Sequence, residues 1–340
     1  MPKPIRVALA GYGLAGKAFH APLIAATDGL DLAVVISGDA AKIHADWPGM
    51  RVAATLDEVL IDPAIDLVVI ATPDHLHHDQ ALAALKAGKH LVIDKPLAPT
   101  LAQAQAIAAK ASLSGRIVSV FHNRRWDADF LTLRRLMAEG ALGEIVEFES
   151  RFDRFRPEVT SRWKDQRAGG VWQDLGPHLI DQALVLFGMP QAIFADIAVQ
   201  KAGGQAADYA QVLLRYDRLR VRLHMTQMNA AHSLRFAVHG TGGSWIKHGL
   251  DPQEAQALAG MRPSHAEWGI DPALGALTDS QLAESDVANV TGNYPAFYAA
   301  LRDAIHCGGV NPVPLDQALN VMRVIAAGLL SAAERREVAL

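Results

Sequence analysis

Three polar residues have the chemical types needed to take a proton from a hydroxyl group. Lys95 follows an apolar run, His90 to Asp94, that predicts a strand. A lysine at a strand end can donate hydrogen bonds to a substrate hydroxyl and lower its pKa. Asp174 and His178 are four residues apart, so they share one face of a helix if its first turn is regular. A histidine that titrates near neutrality can accept the hydroxyl proton.

The same residues also have structural interpretations. A lysine at a strand end is commonly only solvated. Asp174 could be the N-cap of the apolar helical run that follows it, and His178 could then be a structural histidine. Spacing alone leaves both interpretations open.

A glycine-rich segment follows the apolar run Ile5 to Ala10 and opens a helical stretch. Its glycines fit the pattern G-x-G-x-x-G, which in this context allows a tight turn, a close approach of a pyrophosphate and close packing of helix and strand. The helix N-terminus supplies free N–H groups for the phosphates. A glycine turn without a ligand is the alternative. The predicted cofactor loop consists of Gly11, Tyr12, Gly13, Leu14, Ala15 and Gly16.

The choice of cofactor depends on the end of the second predicted strand, where proteins that bind NAD usually carry an acid for the ribose 2′-hydroxyl. We assign that position to Ser37, which would not repel a 2′-phosphate, and Lys42 could neutralise one. Asp39 favours NAD if the strand ends later, and Lys42 could be only a solvated helix charge. The missing acid favours NADP, with NAD as the alternative.

Further residues complete the predicted site. The predicted cofactor contacts also include Lys95 and three residues that follow or end the strand over 66–72, namely Thr72, Pro73 and His75. Substrate contacts are expected from Asn123, Arg124, Trp126, Arg162, Trp163, Asp174 and His178, although most arginines lie simply at the surface. His75, His77 and His78 lack a Cys or acidic partner pattern, so we expect no metal.

Short apolar strands alternate with helices over residues 1–122 and predict a doubly wound α/β domain with a parallel sheet. Over 123–340 several strands come consecutively, which favours antiparallel pairing in a domain for substrate binding and oligomerisation. The polar stretch 249–291 is expected to be rich in loops. Helices are predicted near 295–306 and 315–337, and the second of them could pack back on the first domain.

Composition excludes several classes of function. The 340 residues carry a net charge of −4, which does not suggest a partner such as nucleic acid or a membrane surface. Cys307 is the one cysteine, so no intrachain disulfide can form, and no His-rich motif surrounds it to support a nucleophile. We find neither a signal-peptide pattern nor an apolar run long enough to cross a bilayer, and we expect a cytoplasmic protein.

Taken together, the loop Gly11 to Gly16, the strand end Asp94 to Pro96 and the pair Asp174 and His178 resemble the glucose–fructose oxidoreductase/inositol dehydrogenase/rhizopine-catabolism (Gfo/Idh/MocA) family over essentially the whole chain. Longer segments are similar to a subgroup that includes NADP-dependent scyllo-inositol dehydrogenases. These segments are Gly11 to Pro22, Phe121 to Asp127, Phe152 to Pro157 and Gly292 to Pro295.

The resemblance implies a Rossmann domain followed by an α/β domain with an open, mostly antiparallel sheet, one face of which serves assembly into a homodimer or homotetramer. It also implies that Lys95, Asp174 and His178 bind substrate and catalyse, with His178 as the acid/base. The chain departs from the family at Asp94, where Glu is usual. It departs from the subgroup at Gly38, where an Arg often binds the 2′-phosphate, and this weakens the NADP prediction.

We therefore expect an NAD(P)-dependent oxidoreductase that transfers a hydride between nicotinamide and a hydroxyl-bearing carbon of a cyclitol, sugar or polyol. The alternative is a dinucleotide-binding regulatory protein without catalysis, and the intact Lys95, Asp174 and His178 argue against it.

Overall fold

The computed structural model describes residues 3–160, 170–231 and 234–340. The chain divides into two compact units. The first unit contains residues 1–126, 253–268 and 293–319, and the second contains residues 127–252, 269–292 and 320–340. Each unit is built on its own β-sheet.

The sheet of the first unit has parallel strands in the doubly wound order β3-β2-β1-β4-β5-β6, as far as the described residues show. The predicted parallel Rossmann sheet is therefore confirmed. All four residues of the fourth strand, from Leu67 to Ile70, are inaccessible to solvent, as expected for a parallel sheet covered on both faces. The strands are β1 (Ile5–Ala10), β2 (Leu30–Ile36), β3 (Val52–Ala53), β4 (Leu67–Ile70), β5 (His90–Ile93) and β6 (Val118–Val120).

The helices begin and end where local sequence signals direct. Thr55 and Glu58 form a capping box, and Thr100 caps a helix that stops at the left-handed Gly115, whose φ is +63°. The helices are α1 (Ala21–Ala25), α2 (Ala40–Asp46), α3 (Leu56–Leu60), α4 (His77–Lys86), α5 (Leu101–Ser114), α6 (Ala128–Ala138), α7 (Gly170–Asp174), α8 (Gly176–Phe187), α9 (Gln253–Leu258), α10 (Pro295–Cys307) and α11 (Leu315–Glu334). A π-helical turn, Gly16–His20, precedes α1, and 3₁₀ turns span Asp74–Leu76 and Asn123–Trp126.

The second unit is built on a mixed sheet with the order β14-β13-β12-β11-β7-β10-β9-β8-β15 within the described ranges. Its pairs are antiparallel except for β7 with β10, so the predicted mostly antiparallel sheet is confirmed. The strands are β7 (Ile145–Asp153), β8 (Ala192–Ala198), β9 (Tyr209–Arg215), β10 (Arg220–Thr226), β11 (Leu234–Gly240), β12 (Gly243–His248), β13 (Gly275–Asp279), β14 (Glu284–Val287) and β15 (Val338–Ala339).

The stretch 249–291 is more structured than the sequence suggested. It contains α9 and the hairpin of β13 and β14, which extends the mixed sheet at one edge. Three of the four residues of β14 are exposed, so no apolar alternation reveals this strand. The prediction that this stretch is rich in loops was therefore only partly right.

A buried ion pair organises the core of the second unit. Arg235 is 1% exposed, and its Nε donates to the carboxylate of the fully buried Asp129 at 3.0 Å. The rest of the guanidinium donates to Ser150 Oγ at 2.8 Å and Gln182 Oε1 at 2.7 Å. With its donors satisfied in this way, the positive charge can stay inside the unit.

Asp129→Ala is expected to lower the free energy of unfolding by about 3–5 kcal/mol, because it leaves a buried guanidinium without a counter-charge. Denaturant titration followed by circular dichroism measures the change. Glu144→Ala is the matched control, since Glu144 pairs with Arg218 where both side chains are more than half exposed, and little change is expected there. Equal effects of the two substitutions would contradict the structural role of the buried pair.

Candidate active site

The glycine loop has the geometry of a cradle for a phosphate group. Gly11 has a φ of +95°, and a Cβ on it would lie 2.7 Å from the carbonyl oxygen of Ala71. A Cβ on Gly16 would lie 2.1 Å from the carbonyl oxygen of Gly11. By contrast, a Cβ on Gly13 would meet nothing within 4 Å. Two glycines are thus required by the fold of the loop itself, whereas the third leaves open space above the loop.

The other residues of the glycine loop differ in burial, and Tyr12 is the most buried of them. Tyr12 is 4% exposed, and its hydroxyl donates to Asp46 and accepts a hydrogen bond from Trp47 Nε1 at 2.9 Å. Burial, together with the bond to Asp46, raises the pKa of Tyr12 to about 12, so the phenol keeps its proton. Leu14 is 66% exposed, and Ala15 is half-buried. Tyr12 therefore fastens the loop to the end of α2.

The residues after β2 form the part of the site that would meet the ribose. β2 ends at Ile36, so Ser37 occupies the strand-end position that the sequence predicted for it. Ser37 Oγ accepts the N–H of Asp39 at 3.1 Å, and Asp39 Oδ1 caps α2 by accepting the N–H of Lys42 at 3.0 Å. The Lys42 ammonium donates to the carbonyl oxygen of Tyr12 at 2.9 Å. This contact holds a positive charge beside the glycine loop.

A buried histidine joins the loops that follow β4 and β5. His77 is 1% exposed, with Nδ1 at 2.9 Å from the carbonyl oxygen of Pro96 and Nε2 at 3.0 Å from that of Thr72. Pro73 and His75, by contrast, are exposed beside this junction. The carboxyl ends of β4 and β5 are thereby held together at the edge where ligands bind in open α/β sheets.

Asp94 and Lys95 lie at this same edge of the sheet. Asp94 Oδ1 accepts the backbone N–H of Lys95 at 2.9 Å. Burial alone would raise the pKa of Asp94, but the attraction of His20, and then of Lys95 and His77, holds that pKa below its usual value. These neighbours therefore favour the charged form of Asp94, which directly precedes Lys95 in the chain.

The segment after β6, from which the sequence predicted substrate contacts, is mostly buried. Asn123 is 7% and Arg124 is 4% exposed, and the guanidinium of Arg124 pairs with Glu254. The carbonyl oxygen of Trp126 accepts hydrogen bonds from Gln253 and Asn293. These contacts tie residues 123–126 to the later segments of the first unit.

In the second unit, Asp174 and His178 flank a break between two helices. Asp174 is the last residue of α7, and α8 begins after Leu175, which is its N-cap. The expectation of one regular helix through both residues was therefore wrong, and Asp174 is not the N-cap of α8. Asp174 is half-buried, and His178 is 8% exposed, with its ring stacked on Phe152 at 6.5 Å between centroids.

Comparison with known proteins agrees with this architecture. The model of an oxidoreductase family with an NAD-binding Rossmann fold matches residues 5–122, and the model of the C-terminal alpha/beta domain of that family matches residues 134–340. The chain belongs to the Gfo/Idh/MocA oxidoreductase family. The predicted family membership and the prediction of an enzyme are confirmed.

Individual relatives of this oxidoreductase cover its whole length. It is 50% identical to YdgJ of Escherichia coli (strain K12), described as an uncharacterized oxidoreductase, over 99% of both chains. It is 36% identical to the scyllo-inositol 2-dehydrogenase (NADP(+)) IolW of Bacillus subtilis (strain 168), over 99% of this chain and 96% of that one. The oxidoreductase YPO2259 from Yersinia pestis has a solved structure that is 50% identical, with a TM-score of 0.97 over 100% of this chain and 98% of that one.

Several polar residues of this oxidoreductase escaped sequence analysis. A small cavity beside Asp174 is also lined by Lys201, Asp208 and Gln227. The Asp208 carboxylate accepts hydrogen bonds from the backbone N–H groups of Gln200 and Lys201, and the Lys201 ammonium donates to Gln227. Lys201 and Asp208 lie on the connection between β8 and β9, and Gln227 directly follows β10, so only the fold brings them to Asp174.

Two predicted substrate contacts, Arg162 and Trp163, lie outside the described residues. Among the residues that are described, no group of three or more His, Cys, Asp or Glu side chains could hold a metal ion. Likewise, no helix in the described ranges is both long enough and apolar enough to cross a membrane.

Gly13→Ala tests whether the glycine loop is a phosphate cradle. The variant is expected to keep the melting temperature of the wild type, because its methyl group meets no protein atom. It should weaken the binding of NADP(H) by about tenfold or more, because the methyl group occupies the space that a pyrophosphate needs. Fluorescence titration with NADPH and thermal unfolding give the two values.

Gly16→Ala provides the contrast, since its Cβ would clash with Gly11 and should lower the melting temperature as well. Unchanged NADPH affinity in Gly13→Ala would mean that the loop is a turn without a ligand.

Proposed function

We propose that this oxidoreductase is an NADP-preferring dehydrogenase that acts on a hydroxyl-bearing carbon of a cyclitol, a sugar or another polyol. The observation that carries the proposal lies within the first unit. The open cradle above Gly13 follows β1, and Lys95 follows β5, so both are at the carboxyl edge of one parallel sheet. This arrangement supports a bound dinucleotide with an ammonium group near it.

Each of the three proposed catalytic residues has its own role in the reaction. When bound, the nicotinamide supplies the acceptor or donor of the hydride. His178 removes the proton from the reacting hydroxyl, and Lys95 donates hydrogen bonds to the oxygen while negative charge develops on it. Asp174 orients the hydroxyl or the imidazole. The support for this assignment is the match of all three residues to the family pattern, together with the polar cavity that Asp174 faces.

The preference for NADP has three supports. The residue directly after β2 is Ser37, so no carboxylate at that position would repel a 2′-phosphate. Asp39 uses one carboxylate oxygen to cap α2, and Lys42 holds its ammonium beside the glycine loop. The relative IolW is named as an NADP(+) enzyme. Gly38 takes the place of the arginine common in the subgroup, so we expect the 2′-phosphate to depend on Lys42.

The first test is the absorbance of NADPH and NADH with a panel of scyllo-inositol, myo-inositol, glucose, xylose and small diols. Turnover of one polyol with NADP supports the proposal and identifies the substrate class. Tight binding of NADPH without turnover of any polyol would favour a dinucleotide-binding regulatory protein.

His178→Asn is expected to lower kcat by at least about a hundredfold, because it removes the base that takes the hydroxyl proton. The dissociation constant of NADPH, measured by fluorescence, should stay close to that of the wild type. His239→Asn is the matched control, because His239 lies on β11 and bonds Ser244 on the neighbouring strand. A kcat of the His178 variant equal to that of the wild type would exclude His178 as the base.

Lys42→Ala is expected to raise the KM for NADPH by about tenfold or more, since a charge-assisted hydrogen bond contributes about 1.5–3 kcal/mol. The KM for NADH should change little, because NADH carries no 2′-phosphate. Steady-state kinetics with both cofactors give the ratio, and Lys86→Ala, an exposed lysine at the end of α4, is the control.

Gly38→Arg extends this test in the opposite direction. Gly38 has space for a side chain, with nothing within 4 Å of a Cβ. An arginine there should strengthen the binding of NADPH but not that of NADH. If Lys42→Ala weakens both cofactors equally, Lys42 does not read the 2′-phosphate.

A further inference from the structure

A chain of polar groups leads from the interior of the first unit to the backbone of Lys95. Tyr298 on α10 has its hydroxyl 2.6 Å from His20 Nδ1, and both side chains are fully buried. His20 Nε2 lies 3.8 Å from Asp94 Oδ1. The same Oδ1 accepts the N–H of Lys95 at 2.9 Å. The groups therefore follow one another in the order Tyr298, His20, Asp94 and Lys95.

Packing holds the imidazole in one orientation. The ring of His20 lies 4.4 Å from the centroid of Phe121, and the ring of Tyr298 stands at 87° to it, with 6.2 Å between centroids. Phe297 contacts both Phe121 and Tyr298 edge-on. Burying a polar ring in such an aromatic cage costs free energy unless it makes compensating polar contacts. Packing alone would therefore favour an apolar residue at position 20.

The hydroxyl of Tyr298 lies within hydrogen-bond distance of one ring nitrogen of His20 and can donate to it. Burial, and then the negative charge of Asp94, raise the pKa of Tyr298 well above 10, so the phenol stays protonated. When the phenol donates to Nδ1, the proton of a neutral imidazole must be on Nε2, the nitrogen that faces Asp94. The 3.8 Å separation exceeds that of a hydrogen bond, so the attraction is mainly electrostatic.

The peptide that follows Lys95 is fixed from the other side. His77 contacts the carbonyl oxygens of Pro96 and Thr72. The titratable groups that surround Asp94 are thus His20 from the π-helical turn, Lys95 next in the chain, His77 from α4 and Tyr298 from α10. Lys95 lies between two anchored neighbours, Asp94 and Pro96.

We propose that His20, held by Tyr298, is a positioning residue that fixes the Asp94 carboxylate and thereby the placement of the Lys95 ammonium. In the proposed reaction neither His20 nor Tyr298 touches the substrate, and both act through Asp94. The role assigned to Lys95 rests on the proposed function, whereas the effect of His20 on Asp94 can be measured without turnover.

The first readout is the titration of Asp94 itself, followed by ¹³C NMR of carboxyl-labelled aspartate, with Asp94→Asn to assign the signal. His20→Leu removes the polar ring, and burial then acts with less opposition, so the pKa of Asp94 should rise. His20→Gln places an amide near the position of Nε2 and should return the pKa towards that of the wild type. Tyr298→Phe removes only a hydroxyl and should raise the pKa of Asp94 less than His20→Leu does.

The second readout is kinetic, with the polyol that the wild type turns over. His20→Leu should lower kcat by about tenfold to a hundredfold, as expected when the partner that orients a catalytic group is lost. The acid limb of the pH profile should move to higher pH, because Asp94 becomes easier to protonate. The dissociation constant of NADPH should stay near that of the wild type, and His20→Gln should restore most of the kcat.

Phe297→Leu is the packing control, because it loosens the same aromatic cage without removing a polar group. It should lower the melting temperature but leave both the titration of Asp94 and the pH profile unchanged. An unchanged pKa of Asp94 in both His20→Leu and Tyr298→Phe overturns the proposal. So does a shifted pKa with an unchanged kcat. A wild type without activity on any polyol refutes the proposed function instead, and the NMR titration then decides the link between His20 and Asp94.

Discussion

The close approach of three backbone segments at the glycine loop is the constraint on which the rest of the first unit depends. Gly11 packs closely against the backbone at the end of β4, and Gly16 packs closely against the carbonyl group of Gly11. Neither position has room for a Cβ. The turn after β1, the start of the following helix and the end of β4 therefore form one rigid piece. Because β1 lies between β2 and β4, this piece fixes where Ser37 and Thr72 lie relative to the cradle. The helical turn that begins at Gly16 also carries His20 into the interior, below Asp94. The close contacts that shape the glycine loop therefore also place the buried His20.

Glycines also allow close contacts between backbone segments and side chains in the second unit. Gly170 has a φ of +43°, and a Cβ on it would lie 1.8 Å from the carbonyl oxygen of Ala207. The fully buried Trp172 leaves no room for a Cβ on Gly176 or Gly328, and its Nε1 donates to the carbonyl oxygen of Ile325 at 3.1 Å. The large ring therefore locks α7 and α8 against α11. The break at Leu175 follows within this locked segment, so Asp174 and His178 are held by a rigid support.

Sequence analysis predicted those structural features that depend on residues close together in the chain. The buried strands of the first unit and the turn of the glycine loop have signatures within a few residues, and each was found. The break between Asp174 and His178 was missed, although Pro177 offered a signal, since proline favours the first turn of a helix. The contact between His20 and Tyr298 joins residues 278 positions apart, and no periodicity reports such a pair. The same holds for the cavity beside Asp174, whose polar residues come from separate segments of the second unit.

The charge of Asp94 shows how opposing effects decide the state of a partly buried group. Burial is the largest influence on this carboxyl and by itself favours the neutral acid. The imidazole of His20, the ammonium of Lys95 and the ring of His77 together outweigh it, so the group is ionised. An aspartate is shorter than the glutamate usual in the family, and here its Oδ1 stays at the turn and accepts the N–H of the next residue. Loss of any one neighbour leaves more of the cost of burial unopposed. These groups are therefore coupled, and the effect of replacing one of them depends on which of the others are present.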